Sequence, residues 1–269
     1  MNASSNITRK NILHEIAERT KHRIAEQKKI RPAEEVKRAA SALPVGDFPF
    51  ERALRSEGLS FICEVKKASP SKGIIAKDFR PLHIAREYEA AGAAAISVLT
   101  EPFWFAGDDK YLQEISREIK IPLLRKDFTV DDYMIYEAKL LGASAVLLIC
   151  AMLNETTLAE YLATAHELGL CAIAEVHNEA ETEAALKAGA KIIGVNNRCL
   201  KTFEVDITLS ERLRKLVPPD VLFIAESGIS TPADVARLRE IGADAALIGE
   251  SLMRSADKKA AIMNLRAMK

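Results

Sequence analysis

Glu64, Lys66, Lys126, Glu175 and Glu226 join proton-donating and proton-accepting side chains to one shared feature: each ends a short apolar run. An ammonium among carboxylates can give, take or hold a proton on a bound molecule. The clearest case is Phe61 to Gly73, FICEVKKASPSKG. Read as a strand, it puts Ile62, Glu64 and Lys66 on one face and Phe61, Cys63 and Val65 on the other. Charges at the end of an otherwise apolar face cost several kcal/mol unless paired or solvated. Something polar must therefore sit over that end.

Other runs end in comparable groups. Asn196, with Arg198 just after it, closes one; Ser227 follows Glu226 on another. Singly, each has an ordinary explanation. A strand-end Glu or Lys makes a loop salt bridge, Asn196 caps a turn, and His177 starts a helix beside Glu175. As a set on one rim, three carboxylates, two ammoniums and an amide point to catalysis. Two glycine-bearing turns, Ser227-Gly228-Ile229-Ser230 and Gly249-Glu250-Ser251, suit an anion. Glycine lets the backbone approach, and N–H groups at a helix start bind negative charge. Ser69 adds a hydroxyl and Arg198 a charge-assisted contact. Phe103, Trp104 and Phe105, with Phe128, either cover a flat ring or pack as a lid.

These residues need a frame that gathers them. Eight apolar runs recur: 61–66, 94–100, 122–128, 143–150, 170–176, 191–197, 221–227 and 244–250. They are rich in Val, Ile, Leu and Ala, as parallel strands covered on both faces should be. Their starts lie roughly 20 to 33 residues apart, room for one helix and two loops each. Gly92, Gly142, Gly189 and Gly242 each precede a run, where glycine ends a helix. Asn154, Asn178 and Thr231-Pro232 mark helix starts. The pattern predicts an α/β fold, a (β/α)8 TIM barrel with an N-terminal helical extension, over a doubly wound open sheet. No glycine-rich GxGxxG turn supports the latter. Active sites of such barrels lie at the C-terminal ends of the strands, and the last two loops commonly hold phosphate.

Residues 1–47 form the extension. Ile12, Leu13, Ile16 and Ile24 recur at helical spacing, which predicts an amphipathic helix from about Ile7 to Lys29. Pro32 opens a second short helix at its first turn. Residues 41–49 read as a connection, and residues 1–269 as a single domain with the extension packed on the barrel.

Length and composition bound the partners. The chain has 269 residues, 48% hydrophobic, with a formal net charge of +0. That gives no reason to expect nucleic acid or a membrane. The longest uncharged stretch, Leu140 to Asn154, is short for a membrane span. The N-terminus carries no secretory signature. Cys63, Cys150, Cys171 and Cys199 are far apart and read as reduced thiols of a cytoplasmic protein. No Cys/His cluster suggests a metal.

The stretches EVKKASPSKG (64–73), SVLTEPFWFAGD (97–108), LLRKDF (123–128), AEVHNE (174–179), GVNNRCL (194–200), AESGI (225–229) and LIGESLM (247–253) occur in family order and resemble indole-3-glycerol phosphate synthase. Cys199, Pro102 and Trp104 depart from the family pattern. The resemblance implies closure of 1-(2-carboxyphenylamino)-1-deoxyribulose 5-phosphate to an indole, with loss of carbon dioxide and water and with no cofactor. It implies Lys126 as general acid, Lys66 holding the substrate carboxylate and available as an acid later, and Glu175 as base or hydrogen-bond partner in the dehydration. Glu64 would orient the lysines and substrate hydroxyls, while Asn196, Glu226 and Ser227 position the chain. Ser69, Arg198, Gly228 and Gly249 would hold the anionic end, and Phe105 and Phe128 the ring. The partner is a phosphorylated small molecule, and the expected state is a monomer. The sequence leaves open which lysine and glutamate serve at each proton transfer. A Schiff-base aldolase and a barrel that only binds a phosphorylated ligand are the competing readings.

Overall fold

The computed structural model describes residues 12–199 and 202–267. Eight parallel strands close into a barrel in sequence order. They are β1 (Ser60–Val65), β2 (Ala95–Leu99), β3 (Leu123–Lys126), β4 (Ala145–Ile149), β5 (Cys171–Val176), β6 (Ile192–Asn196), β7 (Leu222–Glu226) and β8 (Ala245–Ile248). Each falls within or one residue of its expected apolar run. Registers such as Glu175 opposite Gly194 and Asn196 opposite Glu226 carry the pairing up to the polar rim.

Among the described residues the helices are α1 (Ile12–Ile30), α2 (Ala33–Ser41), α3 (Pro49–Leu54), α4 (Pro81–Ala90), α5 (Asp109–Glu118), α6 (Tyr133–Leu140), α7 (Glu155–Glu167), α8 (Glu179–Lys187), α9 (Thr208–Arg214), α10 (Pro232–Glu240), α11 (Glu250–Arg254) and α12 (Lys258–Arg266). The cap signals hold. Asn154 and Asn178 accept from Thr157 N and Glu181 N, and Thr231 forms a capping box with Asp234. Gly92, Gly142, Gly189 and Gly242 all have positive φ.

Side-chain alternation sorts the strands into two cores. Phe61, Cys63 and Val65 face the helical layer, while Ile62 faces the barrel interior with Leu124, Ile173 and Ile224. Those four lie on the odd strands and form one interior layer; Ala95, Ala145, Ile192 and Ala245 of the even strands join the same core. Alternate strands filling successive layers is the packing rule of such barrels.

Two local expectations are corrected. Pro32 caps α2 from outside rather than entering its first turn. The stretch read as a connection ends in α3, with Pro49 in its first turn and Phe50 and Leu54 in the interior core. The loop after β1 pairs with itself, Ala68–Ser69 against Gly73–Ile74. The expected helix start at Ile7 and the motif residue Leu200 lie outside the described residues. Among the described residues, no helix is long and apolar enough to cross a membrane.

Candidate active site

Two residues above the Ile62 layer, the odd strands supply Glu64, Lys126, Glu175 and Glu226. One apolar layer is thus followed by one charged layer, because period-two alternation repeats the same face. All four line a cavity of about 420 Å³ at the C-terminal ends of the strands. Lys66, Ser69, Phe105, Phe128, Asn196, Arg198, Ser227, Gly228 and Gly249 line it too. Every residue to which the family resemblance gives a role therefore converges on one mouth.

The charged layer is tightly paired. Lys126 Nζ donates to Glu175 Oε2 at 3.0 Å and to Glu226 Oε2 at 2.6 Å. Lys66 Nζ pairs with Glu64 Oε2. Three carboxylates face two ammoniums, so the layer has one negative charge more than it can neutralise. The pKa shifts follow from burial first and from these charged neighbours second. Burial opposes the Lys126 ammonium, but Glu226 and Glu175 outweigh it and hold the amine above the ordinary lysine range. At Glu226 burial wins: its carboxyl is pushed up to about 7 despite Lys126, with Glu175 adding to the rise. At Glu175 burial is outweighed by Lys126 and His177, and the carboxylate stays below the usual range. Glu226 Oε1 is buried without a hydrogen-bond partner.

A polar line continues from Glu175. Asn196 Nδ2 donates to Glu175 Oε1 at 3.3 Å, and Ser227 Oγ donates to Asn196 Oδ1 at 2.9 Å. Ser227 has φ 69° and Gly228 φ 82°. The left-handed Ser227 is a strained position for a residue with a Cβ, of the kind that clusters at functional sites. Gly249 is required by space rather than φ: a Cβ there would overlap Glu64 Oε2 and crowd Lys66 Nζ.

The two sides of the mouth differ. On the β2–β4 side Phe105 and Phe128 lie 5.9 Å apart, with Leu147 and Ile149 nearby and Ile12, Leu13 and Ile16 of α1 lining the same cavity. On the β7–β8 side lie Gly228, Ile229, Ser230, Gly249, Glu250 and Ser251. Ser251 Oγ donates to Ile229 O at 3.1 Å, tying those two loops together. Arg198 donates to Phe203 O at 3.1 Å, and its guanidinium lies 3.9 Å from Glu250. One side suits a flat apolar ring and the other an anion.

Phe103 and Trp104 do not line the cavity. The Arg19 guanidinium lies 3.9 Å from the Phe103 ring centroid, so Phe103 packs on the rim while Phe105 and Phe128 line the cavity. Glu101, unremarked in the sequence, organises that loop by accepting from the N–H groups of Phe103, Trp104 and Phe105. The apolar face of α1 was legible as a core face but not as a wall of the site. Cys63, Cys150 and Cys171 are buried, whereas Cys199 is exposed.

Known proteins fit this arrangement. Residues 13–265 match the family model described as indole-3-glycerol phosphate synthase. The chain is 55% identical over 256 residues to the indole-3-glycerol phosphate synthase of Ruminiclostridium cellulolyticum, covering 95% of this chain and 98% of the relative. It is 51% identical to that of Lachnoclostridium phytofermentans, covering 96% and 99%. Among solved structures, a 3-hexulose-6-phosphate synthase superposes with TM-score 0.61 at 15% identity, over 78% of this chain and 99% of that one. A thiamine phosphate pyrophosphorylase from Pyrococcus furiosus gives TM-score 0.56 at 19% identity, over 80% and 96%. These last two likenesses speak for the barrel fold alone. A charged layer at the barrel mouth and relatives matched over nearly their whole length lead to one conclusion: the chain belongs to the indole-3-glycerol phosphate synthase family, carboxy-lyases of tryptophan biosynthesis.

Proposed function

We propose that the charged layer carries out the ring closure of 1-(2-carboxyphenylamino)-1-deoxyribulose 5-phosphate in named steps. The phosphate is held by the Gly228 and Gly249 loops with Ser69 and Arg198, and the benzoate ring lies against Phe105 and Phe128. Lys66 holds the substrate carboxylate. The ring carbon that bears the carboxylate attacks the ketone carbon while Lys126 gives its proton to the ketone oxygen. Carbon dioxide leaves, and the bonding pair restores the aromatic ring. The new hydroxyl then departs as water with a proton from Lys66, free once carbon dioxide has left, and Glu175 takes the proton released from carbon. Asn196, Ser227 and Glu64 keep the carboxylates and substrate hydroxyls in place.

The observation that carries this reading is Lys126 Nζ between Glu175 at 3.0 Å and Glu226 at 2.6 Å, in a cavity apolar on one side and anion-suited on the other. Two carboxylates keep Lys126 charged, which supports a proton donor and argues against a neutral amine that attacks a carbonyl. Glu226, titrating near 7, is a ready source from which Lys126 regains its proton. No step draws on a cofactor.

Indole fluorescence tests the roles. The wild-type protein should form indole-3-glycerol phosphate from this substrate, and Lys126→Ala and Glu175→Gln should each lose about 10²–10⁴ in kcat. Near-normal turnover in either variant removes that residue from its role. Borohydride should trap no covalent adduct at Lys126 or Lys66. We also propose that the protein is a cytoplasmic monomer and that extension and barrel unfold as one domain. The bidentate contact of Arg23 on α1 with the buried Asp127, at 2.8 and 2.9 Å, supports that cohesion.

A further inference from the structure

His177 follows β5 and lies behind Glu175, away from the cavity lining. Its ring is wedged between two carboxylates. Nε2 lies 3.4 Å from Glu175 Oε1, and Nδ1 lies 3.2 Å from Glu181 Oε2. The side chain is only 13% exposed. Glu181 is itself held: its Oε2 accepts from His177 N at 2.8 Å and its Oε1 from Asn178 Nδ2 at 2.7 Å. Asn178 in turn caps the start of α8 through Glu181 N. The helix start thus fixes a carboxylate, and the carboxylate fixes the imidazole.

A neutral imidazole carries one N–H and one lone pair. With the N–H on Nδ1 facing Glu181, the lone pair of Nε2 would face the Glu175 carboxylate and repel it. Only the doubly protonated ring suits both neighbours. The buried Nε2 makes no hydrogen bond, and its 3.4 Å approach to Glu175 Oε1 is a contact between charges. The other charged groups near the ring fit the same state: Glu226 on β7 favours a cation, and Lys126 on β3 lies beyond Glu175, on its other oxygen.

We infer that His177 is the positioning residue of Glu175: an imidazolium, fixed from behind by Glu181, that keeps Glu175 ionised and aimed at the cavity until it takes its proton. This rests on the reading of Glu175 as the base. When Glu175 accepts a proton from carbon its negative charge is gone, and the imidazolium loses the partner at Nε2. The line Glu181–His177–Glu175 therefore couples proton uptake at the site to the charge of a residue that never touches substrate. Burial alone would lower the imidazole pKa, but Glu181 and then Glu175 reverse that and hold it above the ordinary value.

Two measurements on the full chain decide the point. The first is an NMR titration of the His177 ring nitrogens in the wild-type protein and in Glu175→Gln. The ring should stay protonated above the ordinary histidine value in the wild type, and its midpoint should fall by about one pH unit in the variant. An unchanged midpoint overturns the coupling. The second is the pH profile of kcat/KM for His177→Gln, with His177→Asn as the alternative should the first fold poorly. Without the imidazolium Glu175 holds its proton more tightly, so the acid limb should move up by about one pH unit. Turnover should drop about tenfold at pH values below both limbs and little near neutral pH, while KM stays within about threefold. A loss of equal size at every pH, with the limb unmoved, is the mark of a merely structural residue and overturns the inference. An active Glu175→Gln would remove Glu175 as base and His177 with it. An inactive Glu175→Gln beside an unmoved limb in His177→Gln confines the failure to His177.

Discussion

Arg125 and Lys126 are neighbours on β3 that point to opposite sides of the sheet, and each sits in a buried charge cluster. Around Arg125 every nitrogen has a partner. Nη2 donates to Asp109 and Glu137, both at 2.7 Å, Nη1 to Met134 O at 2.9 Å, and Nε to Thr100 Oγ1 at 3.3 Å. Asp127 extends the cluster, accepting from Arg23, Thr100 and its neighbour Phe128 N, while the Nε of Arg23 is buried without a partner. Around Lys126 the cluster opens on the cavity, and Glu226 Oε1 is left without a partner. A buried cation bound at every nitrogen and kept away from the cavity holds parts together. One beside an open acceptor at the cavity stores the capacity to bind and to move a proton. The same strand serves both ends because consecutive residues face different layers.

That contrast is best broken by matched substitutions. Lys126→Met should cost at least about 10²–10⁴ in kcat yet lower the urea midpoint less than the loss of Arg125, since Glu226 can take up a proton and Glu175 keeps His177 and Asn196. Arg125→Met should do the reverse, destabilising by about 3–5 kcal/mol through the carboxylates it strands. Its turnover per folded molecule should stay within about threefold. If both variants lose stability alike, the division between the clusters fails. Gly249→Ala sharpens the functional side: the added Cβ displaces the Glu64–Lys66 pair and should lower kcat/KM about 10²-fold with little change in melting temperature. The smallest effect is one of shape. Glu226 titrates near 7, so the wild-type profile of kcat/KM should inflect there, losing the protonated form as pH rises through that value. Glu226→Gln cannot ionise and should lack that inflection; a limb near 7 that persists assigns it to another group.

Much of this frame is readable from residues because the barrel's demands are local. Strands covered on both faces must be apolar, and the turns before them need a left-handed residue, so Gly92, Gly142, Gly189 and Gly242 mark the repeat. Strand-end Glu and Lys converge once the ring is closed, since topology rather than packing brings them together. What stays hidden depends on tertiary partners. Arg125 reads as one more cation in LLRKDF until Asp109 and Glu137 arrive from α5 and α6 to meet it. Six-residue α3 hides in a proline-rich stretch because its reason to exist is to fill the barrel interior with Phe50 and Leu54. His177 was placed beside Glu175 by sequence, but the three-residue step from Asn178 to Glu181 was the available sign that a second carboxylate would reach it.

The most direct test of the charged layer as the catalytic centre is a crystal structure of the protein with indole-3-glycerol phosphate bound. The account predicts the phosphate on the Gly228 and Gly249 loops, the indole against Phe105 and Phe128, and Lys126 and Glu175 facing the ring between them. A product lying with its phosphate among the aromatic side chains, or outside the reach of Lys126, would contradict it.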